Sequence, residues 1–106
     1  MSESRVSVGV EASKQEVRLQ VEGAFDFNLH KAFSEGFRSA PYRRYVVDLV
    51  QTTYLDSSAL GSLLQLKEFA ESRGGSVEVV AAGGLVQDTL EMAHFDRILK
   101  VRLEAA

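Results

Sequence analysis

Hydrophobic residues alternate with polar ones in two short stretches near the start of the chain. The apolar positions in them are aliphatic and two residues apart: Val6, Val8 and Val10, then Val17, Leu19 and Val21. Successive side chains of a strand point to opposite faces, so this pattern predicts two strands that each bury one face. The polar connection Ala12–Gln15 predicts that they form an antiparallel hairpin.

The rest of the chain alternates between helical and strand-like patterns. Three stretches carry apolar residues at helical spacing: Leu29, Ala32, Phe33, Gly36 and Phe37; Ala59, Leu60, Leu63 and Leu64, with Phe69 or Ala70; and Leu85, Val86, Leu90 and Ala93. Each set predicts the buried stripe of a helix. Pro41 ends the first helix, and Gly74-Gly75 ends the second. Phe27 falls outside the first stripe, so we expect it to be exposed.

Three β-rich runs follow or separate these helices: Tyr45–Val50, Ser76–Ala82 and Ile98–Leu103. Successive strand–helix–strand units pair in parallel through right-handed crossovers, which stack the helices on one face of a sheet. We therefore predict an α/β fold with a mixed five-stranded sheet, in which an antiparallel hairpin leads into parallel strands. A length of 106 residues with 45% hydrophobic content suits one domain, residues 1–106, but not two.

Charge and composition exclude several classes of function. A net charge of −3 argues against nucleic-acid binding, which needs a basic face. Arg43-Arg44 is the single adjacent basic pair, and we interpret it as two solvent-exposed residues at the start of a strand. No apolar run reaches the ~18 residues of a membrane span, and Met1–Gly9 lacks the features of a signal peptide. We expect a cytoplasmic protein with no direct membrane contact.

The stretch Tyr54–Gly61 carries the candidate chemistry. It contains Asp56, Ser57 and Ser58, where a strand-to-helix loop becomes a helix N-terminus. Free amide hydrogens and the positive end of the helix dipole favour an anion there, and a hydroxyl in the first turn is open to modification. Simple helix capping by Asp56 or Ser57 is the alternative interpretation. Spacing alone does not choose between the two serines.

Catalytic, cofactor and metal motifs are not recognisable in the sequence. Neither serine lies in a G-x-S-x-G nucleophile elbow. His30 and His94 lack an acidic partner at a fixed spacing, so both are interpreted as surface or boundary histidines. Gly74-Gly75 and Gly83-Gly84 are not followed by the lysine of a phosphate-binding loop. We therefore expect no enzyme activity, no cofactor and no metal.

Asp56-Ser57-Ser58-Ala59-Leu60-Gly61 resembles the D-S-S-G-L-G signature of the STAS domain, the fold of bacterial anti-sigma factor antagonists. Gly23-Ala24-Phe25-Asp26 is similar to the G-x-L-D segment that opens the first helix of this family. The resemblance extends from the first strand to Val101. Ala59 replaces the glycine of the family signature, so the backbone of the loop is expected to be less flexible than in other members. The C-terminal helix of many STAS domains is expected to be short or absent here.

The resemblance implies that Ser57 is the phosphorylated residue, with Ser58 as the alternative acceptor. It also implies a partner-binding site around the same loop: Asp26, Tyr54, Asp56, Ser57, Ser58, Ala59, Leu60, Gly61 and Ser62. We expect Asp26 to lie close to the Ser57 loop, because both segments begin helices at one end of a parallel sheet. The implied function is an anti-sigma factor antagonist that binds an anti-sigma factor with serine kinase activity when unphosphorylated. A serine phosphatase would restore this form, and the protein is expected to be a monomer.

The sequence leaves three alternatives open. A STAS module without a switch would serve as a scaffold or accessory subunit of a membrane transport complex. A nucleotide-binding STAS domain is disfavoured by the missing phosphate loop. A hydrolase that uses Ser57 ranks last.

Overall fold

Six strands and three α-helices make up the fold in the computed structural model, which describes residues 4–104. The strands are β1 Arg5–Glu11, β2 Glu16–Phe25, β3 Arg44–Asp48, β4 Thr52–Leu55, β5 Ser76–Ala81 and β6 Lys100–Leu103. The helices are α1 His30–Arg38, α2 Ser57–Ser72 and α3 Leu85–Met92, and short 3-10 turns cover Ala12–Lys14, Phe27–Leu29 and Phe95–Arg97.

The sheet begins with the predicted antiparallel hairpin and continues with parallel strands. Its order is β1-β2-β3-β5-β6, and β4 pairs with β2 beside this path. Val8 faces Leu19 across the hairpin, whereas Val17 pairs in parallel with Tyr45, and Tyr45 with Val77. The predicted fold class is confirmed, with β4 as one strand more than the sequence indicated.

Strand β4 continues along β2 after β3 has ended. The first half of β2 pairs with β3, and its second half pairs with β4, with a register shift between Gly23 and Ala24. The Thr52 hydroxyl donates to the Val21 carbonyl at 2.8 Å and so anchors the start of β4. The strand has four residues, and its burial pattern does not alternate, because the two middle residues are both exposed. The sequence pattern therefore gave no sign of it.

One face of the sheet carries the helices and the hydrophobic core. Core residues of β2, β3 and β5 lie on this face and pack against the buried sides of all three helices. A row of aromatic rings links α1 to α2. The ring centroid of Phe33 lies 5.0 Å from that of Phe25 and 5.8 Å from that of Phe37, and the ring centroids of Phe37 and Phe69 are 5.3 Å apart. The prediction that the helices stack mainly on one face is confirmed.

The opposite face of the sheet is covered by ion pairs instead of helices. Arg18 reaches Asp48 at 3.3 Å, and Glu78 reaches Lys100 at 3.3 Å and Arg102 at 3.6 Å. Strand alternation places these side chains on the face opposite the core. This face is therefore polar, although valines of the central strands are buried beneath the charged side chains.

Helix α2 ends where the sequence predicts, at Gly74-Gly75. The Gly75 amide donates to the Ala70 carbonyl at 2.7 Å, and the Gly74 amide donates to the Glu71 carbonyl at 3.0 Å, which is the Schellman pattern. Gly74 has φ +74°, and a Cβ on Gly75 would stand 2.0 Å from the Arg43 carbonyl oxygen. Both positions therefore require glycine, and they lead the chain directly into β5.

Two leucines that were predicted to be buried, Leu64 and Leu85, are exposed. Leu64 is 38% exposed, and Leu66, two residues further along α2, is fully buried instead. The buried stripe of α2 runs from Ala59 through Leu63 and Leu66, because this side of the helix packs on the core. Leu85 is 61% exposed because it is the first residue of α3, ahead of the turn that packs on the core.

The last strand also starts later than predicted. Ile98 and Leu99 belong to the segment between the final 3-10 turn and β6, which begins at Lys100. Ile98 is 45% exposed. The prediction of a short or absent C-terminal helix concerns residues beyond Glu104 and lies outside the described residues.

Candidate functional site

Two loops that carry aspartates meet at the carboxyl edge of the sheet. The ends of β2 and β4 pair directly, with Phe25 opposite Leu55. The Asp56 amide donates to the Phe25 carbonyl at 3.2 Å, which ties the two loops together by their backbones. Asp26 and Asp56 each follow one of these paired residues, so the structure brings them together as the sequence predicts.

Asp56 is the N-cap residue of α2. Its backbone is extended, and its Oδ1 accepts a hydrogen bond from the Ala59 amide at 2.9 Å and one from the Ser58 hydroxyl at 2.8 Å. Partial burial opposes ionisation of this carboxyl, but hydrogen bonds from Ala59, Ser58 and the Phe27 amide outweigh it and lower the pKa of Asp56 below its ordinary value. The carboxylate is therefore ionised and fixed in place.

Asp26 has the same role one loop away. Its Oδ1 accepts a hydrogen bond from the Asn28 amide at 3.0 Å, so it caps the 3-10 turn Phe27–Leu29 that leads into α1. Asp26 is therefore an N-cap residue as well. Its position beside the Ser57 loop makes this residue part of the same surface.

The two serines after Asp56 have different environments. Ser57 is the first residue of α2 and is exposed, and within residues 4–104 its hydroxyl has no hydrogen-bond partner. The Ser58 hydroxyl donates to Asp56 and is half-buried. A modifying enzyme would therefore find the Ser57 hydroxyl accessible and the Ser58 hydroxyl already engaged.

Ala59 and Ser62 face the interior, so their side chains are unavailable to a partner. Ala59 is 0% exposed and Ser62 is 2% exposed. Ala59 lies within the regular helix, where alanine is the most favourable residue, so replacement of the family glycine does not strain the backbone at this position. The side chains of these two predicted binding-site residues therefore cannot contact a partner.

Ser62 is hydrogen-bonded to His30, at 2.9 Å between its Oγ and the His30 Nδ1. The contact joins the first turn of α1 to the second turn of α2 and satisfies both polar groups at the helix interface. His30 is therefore a boundary histidine, as predicted. Its partner lies 32 residues away, and no local sequence signal could have indicated it.

The exposed side of the site is partly apolar. Phe27 is 73% exposed and Tyr54 is 39% exposed, next to the two aspartates. Along α2, Leu60 and Gly61 are half-buried, and a Cβ on Gly61 would have no atom within 4 Å. Ser57 and Gly61 are four residues apart and so lie one above the other on the helix. These features make a surface with an exposed hydroxyl, an apolar border and fixed negative charge.

The described residues show no cluster of side chains suited to metal binding. Across residues 4–104, no group of three or more histidine, cysteine, aspartate or glutamate side chains could hold a metal ion. His94 is exposed, and its backbone has a positive φ of 60° before the last 3-10 turn. In the same part of the chain, none of the helices has the length and apolar character needed to cross a membrane.

The chain is similar to known proteins in sequence and in fold. A family model described as "Mlab, STAS domain" matches residues 8–102. A STAS-domain-containing protein of Pseudomonas aeruginosa (strain UCBPP-PA14) is 37% identical over 92 residues, which cover 85% of this chain and 91% of the relative.

Two solved structures illustrate the similarity in fold. A Thermotoga maritima protein described as a candidate anti-sigma factor antagonist has a TM-score of 0.81 at 18% identity, with 94% of this chain and 86% of that chain covered. The anti-sigma factor antagonist SpoIIAA in its unphosphorylated form has a TM-score of 0.67 at 12% identity, with 96% and 89% covered. At these identities the likeness establishes the fold.

Proposed function

This chain belongs to the STAS domain family, in the group described as "Mlab, STAS domain", and from that premise we propose that it is an anti-sigma factor antagonist controlled by phosphorylation of Ser57. The unphosphorylated protein binds an anti-sigma factor with serine kinase activity and keeps it from its target. Phosphorylation of Ser57 releases that partner, and a serine phosphatase resets the switch. The observation that carries the proposal is the exposed Ser57 hydroxyl at the start of a capped helix.

The position of Ser57 suits a phosphate that leaves the fold intact. A phosphate adds about −1.5 to −2 charges at neutral pH. At a helix N-terminus, negative charge is favourable by about 0.3–1 kcal/mol, because the free amides and the helix dipole attract it. Asp56 already occupies the cap, and its negative charge next to the phosphate offsets part of this gain. We therefore expect a small net effect on stability.

At a docked interface the same charge has a much larger effect. A buried, unpaired charge beside Asp56 costs several kcal/mol, and about 3 kcal/mol weakens binding roughly a hundredfold. The phosphate therefore changes the free energy of binding more than the free energy of unfolding. The switch operates through binding and leaves the fold nearly unchanged.

The proposed contact surface surrounds Ser57. Its exposed or half-buried members are Asp26, Tyr54, Asp56, Ser58, Leu60 and Gly61. Phe27 joins them, because it is 73% exposed and directly follows Asp26 in the chain. Apolar groups bordered by fixed polar groups are typical of specific protein interfaces. With a partner of this kind, the protein would act in the cytoplasm. We propose that it is a monomer when no partner is bound.

Mass spectrometry of the protein from its native cells, with phosphatase inhibitors present, tests the modification. We expect one phosphate on the peptide that contains Asp56, Ser57 and Ser58. Ser57→Ala removes it, whereas Ser58→Ala, the matched control one residue away, retains it. Phosphate that persists in Ser57→Ala and disappears in Ser58→Ala would transfer the role to Ser58, and an unmodified protein under all growth conditions would refute the switch.

Binding to the co-purified kinase tests the consequence of the charge. Ser57→Ala should bind as tightly as the unphosphorylated protein, and Ser57→Asp should bind about a hundredfold more weakly. Ser13→Asp adds the same charge in the exposed β1–β2 turn and should bind normally. Equal affinity of all three variants would place the interface elsewhere.

A scaffold in a membrane transport complex is the second candidate. It is favoured by the exposed apolar side chains Phe27 and Leu85, because these provide docking area that needs no phosphate. Both follow carboxyl ends of parallel strands, so they lie at the same edge of the sheet. Co-purification separates the candidates: a kinase and a phosphatase support the switch, whereas a transport ATPase or permease supports the scaffold.

A further inference from the structure

A basic pocket lies at the amino edge of the sheet, away from Ser57. It has a volume of about 630 Å³ and is formed by the β1–β2 turn, the start of β3, the end of α2 and the start of β5. Four cationic residues line it, Lys14, Arg43, Arg44 and Arg73, and no carboxylate residue does. The chain as a whole has a net charge of −3, so this concentration of positive charge is a local feature.

The pocket and Ser57 lie at opposite ends of α2. The helix has 16 residues, and a rise of about 1.5 Å per residue separates its ends by about 24 Å. That distance exceeds the Debye length of about 8 Å at physiological salt, so a charge at one end is largely screened from the other. The pocket is therefore independent of the switch proposed for Ser57.

Most of the positive charge in the pocket is uncompensated. Lys14 lies 3.6 Å from Glu11, whereas Arg43, Arg44 and Arg73 make no ion pair with any residue in the range 4–104. Glu16 is the neighbour of Arg44 in the sheet register but does not form an ion pair with it. The residues that line the pocket thus bring several positive charges together with no carboxylate among them, and an anion bound there would relieve their mutual repulsion.

Two of the arginines are held in place by the protein. The Arg43 guanidinium donates to the Arg73 carbonyl at 2.9 Å, and the Arg73 guanidinium lies 5.0 Å from the centroid of the Phe69 ring. An arginine has five N–H donors, so each of these contacts leaves several donors for a ligand. Fixed guanidinium groups lose less entropy when they bind, and their planar fork matches phosphate oxygens.

Stabilisation of the helix C-terminus explains only part of the cluster. Cations near the last turn of a helix interact favourably with its dipole, and Arg43 fulfils this role through the Arg73 carbonyl. Arg44 begins a strand and Lys14 lies in a turn, and neither donates a hydrogen bond to α2 among the described contacts. The helix C-terminus therefore does not account for Arg44 and Lys14, and of these two only Lys14 has an ion-pair partner within residues 4–104, Glu11.

We propose that this pocket binds a soluble, multivalent phosphate-bearing anion, of the size of pyrophosphate or the phosphate chain of a nucleotide. Arg43, Arg44 and Arg73 contact the phosphate oxygens, and Lys14 contributes long-range attraction. The Arg43-Arg44 pair at the start of β3 thus binds the anion and is not simply solvent-exposed.

A titration of the ¹⁵N-labelled full chain with pyrophosphate, followed by amide chemical shifts, tests the proposal. At about 20 mM salt, we expect saturable shifts at the pocket amides with a dissociation constant on the order of 1 mM or lower. Arg44→Gln and Arg73→Gln should each weaken binding by about tenfold, because each removes a charge-assisted hydrogen bond. Arg5→Gln is the matched control, since Arg5 is exposed on β1 and pairs with Glu22 away from the pocket.

The possible outcomes separate clearly. Saturable shifts confined to Gln15, Arg43, Arg44 and Gly74–Ser76, with the expected order of variants, support the pocket. Equal weakening by Arg44→Gln and Arg5→Gln would show general charge screening and overturn the proposal. It would also be overturned if pyrophosphate caused no saturable shift, or if the protein bound only vesicles that contain phosphatidylglycerol. The dispersion of each variant's spectrum establishes that it is folded.

Discussion

The Ser58 hydroxyl donates a hydrogen bond of 2.8 Å to the Asp56 carboxylate. The same carboxylate oxygen accepts the Ala59 amide, so Ser58 shares in the N-terminal cap of α2. Ser57, between them, is exposed and has no such contact in the described part of the chain. Two adjacent serines of the same chemistry therefore differ in availability, and this difference comes from the geometry of a single cap.

Removal of the cap should destabilise the protein. Asp56→Ala loses the hydrogen bond to the Ala59 amide, and we expect a loss of about 1 kcal/mol in the free energy of unfolding. Asp56→Asn keeps an acceptor oxygen and should lose only a few tenths of a kcal/mol. Urea unfolding at neutral pH measures both. Equal losses in the two variants would mean that the carboxylate charge matters and the capping hydrogen bond does not.

The cap also predicts a dependence of stability on pH. The hydrogen bonds lower the folded-state pKa of Asp56 below its ordinary value of 3.8. The ionised carboxylate therefore stabilises the folded state above about pH 4, and this contribution is lost as the pH falls through the lowered pKa.

Unfolding experiments from pH 7 to pH 2.5 on wild type and Asp56→Asn isolate this effect, because other titrating groups are common to both. The difference in their unfolding free energies should shrink in acid. A difference that stays constant over this range would contradict the assignment.

A negative charge at position 57 should leave the fold intact. Ser57→Asp places a carboxylate at the first residue of α2, and its unfolding free energy should equal or exceed that of the isosteric Ser57→Asn by up to about 1 kcal/mol. Gln65→Glu adds the same charge in the middle of the helix, where the dipole has little effect, and should give no such gain. Thermal melts provide the comparison. Loss of the folded baseline in Ser57→Asp would mean that the switch acts by unfolding.

Gly61 offers a test of the contact surface that does not involve charge. Gly61→Ala should stabilise the protein by about 0.5–1 kcal/mol, because alanine favours the helix and the added methyl group meets no atom within 4 Å. The same methyl group should weaken binding of the partner by intruding on the interface. Gly9→Ala, another site with open space around the Cβ, should bind normally. Unchanged affinity in Gly61→Ala would remove this part of α2 from the interface.

Much of the fold could be predicted because its signals are local. Alternation of Val6 to Val21 indicated the hairpin, and helical spacing indicated α1 to α3. Gly74-Gly75 marked the end of α2, where the structure has a left-handed residue and a close backbone contact. Each signal depends on neighbouring residues in the chain, so the sequence alone was sufficient.

The missed features depend on tertiary contacts. Four leucines within seven residues allow more than one buried stripe on α2, and the packing of the helix on the core buries Leu66 and leaves Leu64 exposed. Strand β4 exists because the end of β2 offers a free partner. The contact between His30 and Ser62 spans 32 residues. The availability of Ser57 over Ser58 required the orientation of the Asp56 side chain.

The close approach at Gly75 has a consequence for how this sequence can change over time. A side chain there would collide with the backbone of Arg43, at 2.0 Å from its carbonyl oxygen, and no flexible group can move aside. Gly9 and Gly61 have empty space around the missing Cβ, so the fold tolerates substitution at both. In a saturation mutagenesis library selected only for folding, Gly75 should remain invariant while those two glycines drift. Selection for partner binding in the same library would then reveal, at Gly61, a constraint that folding does not impose.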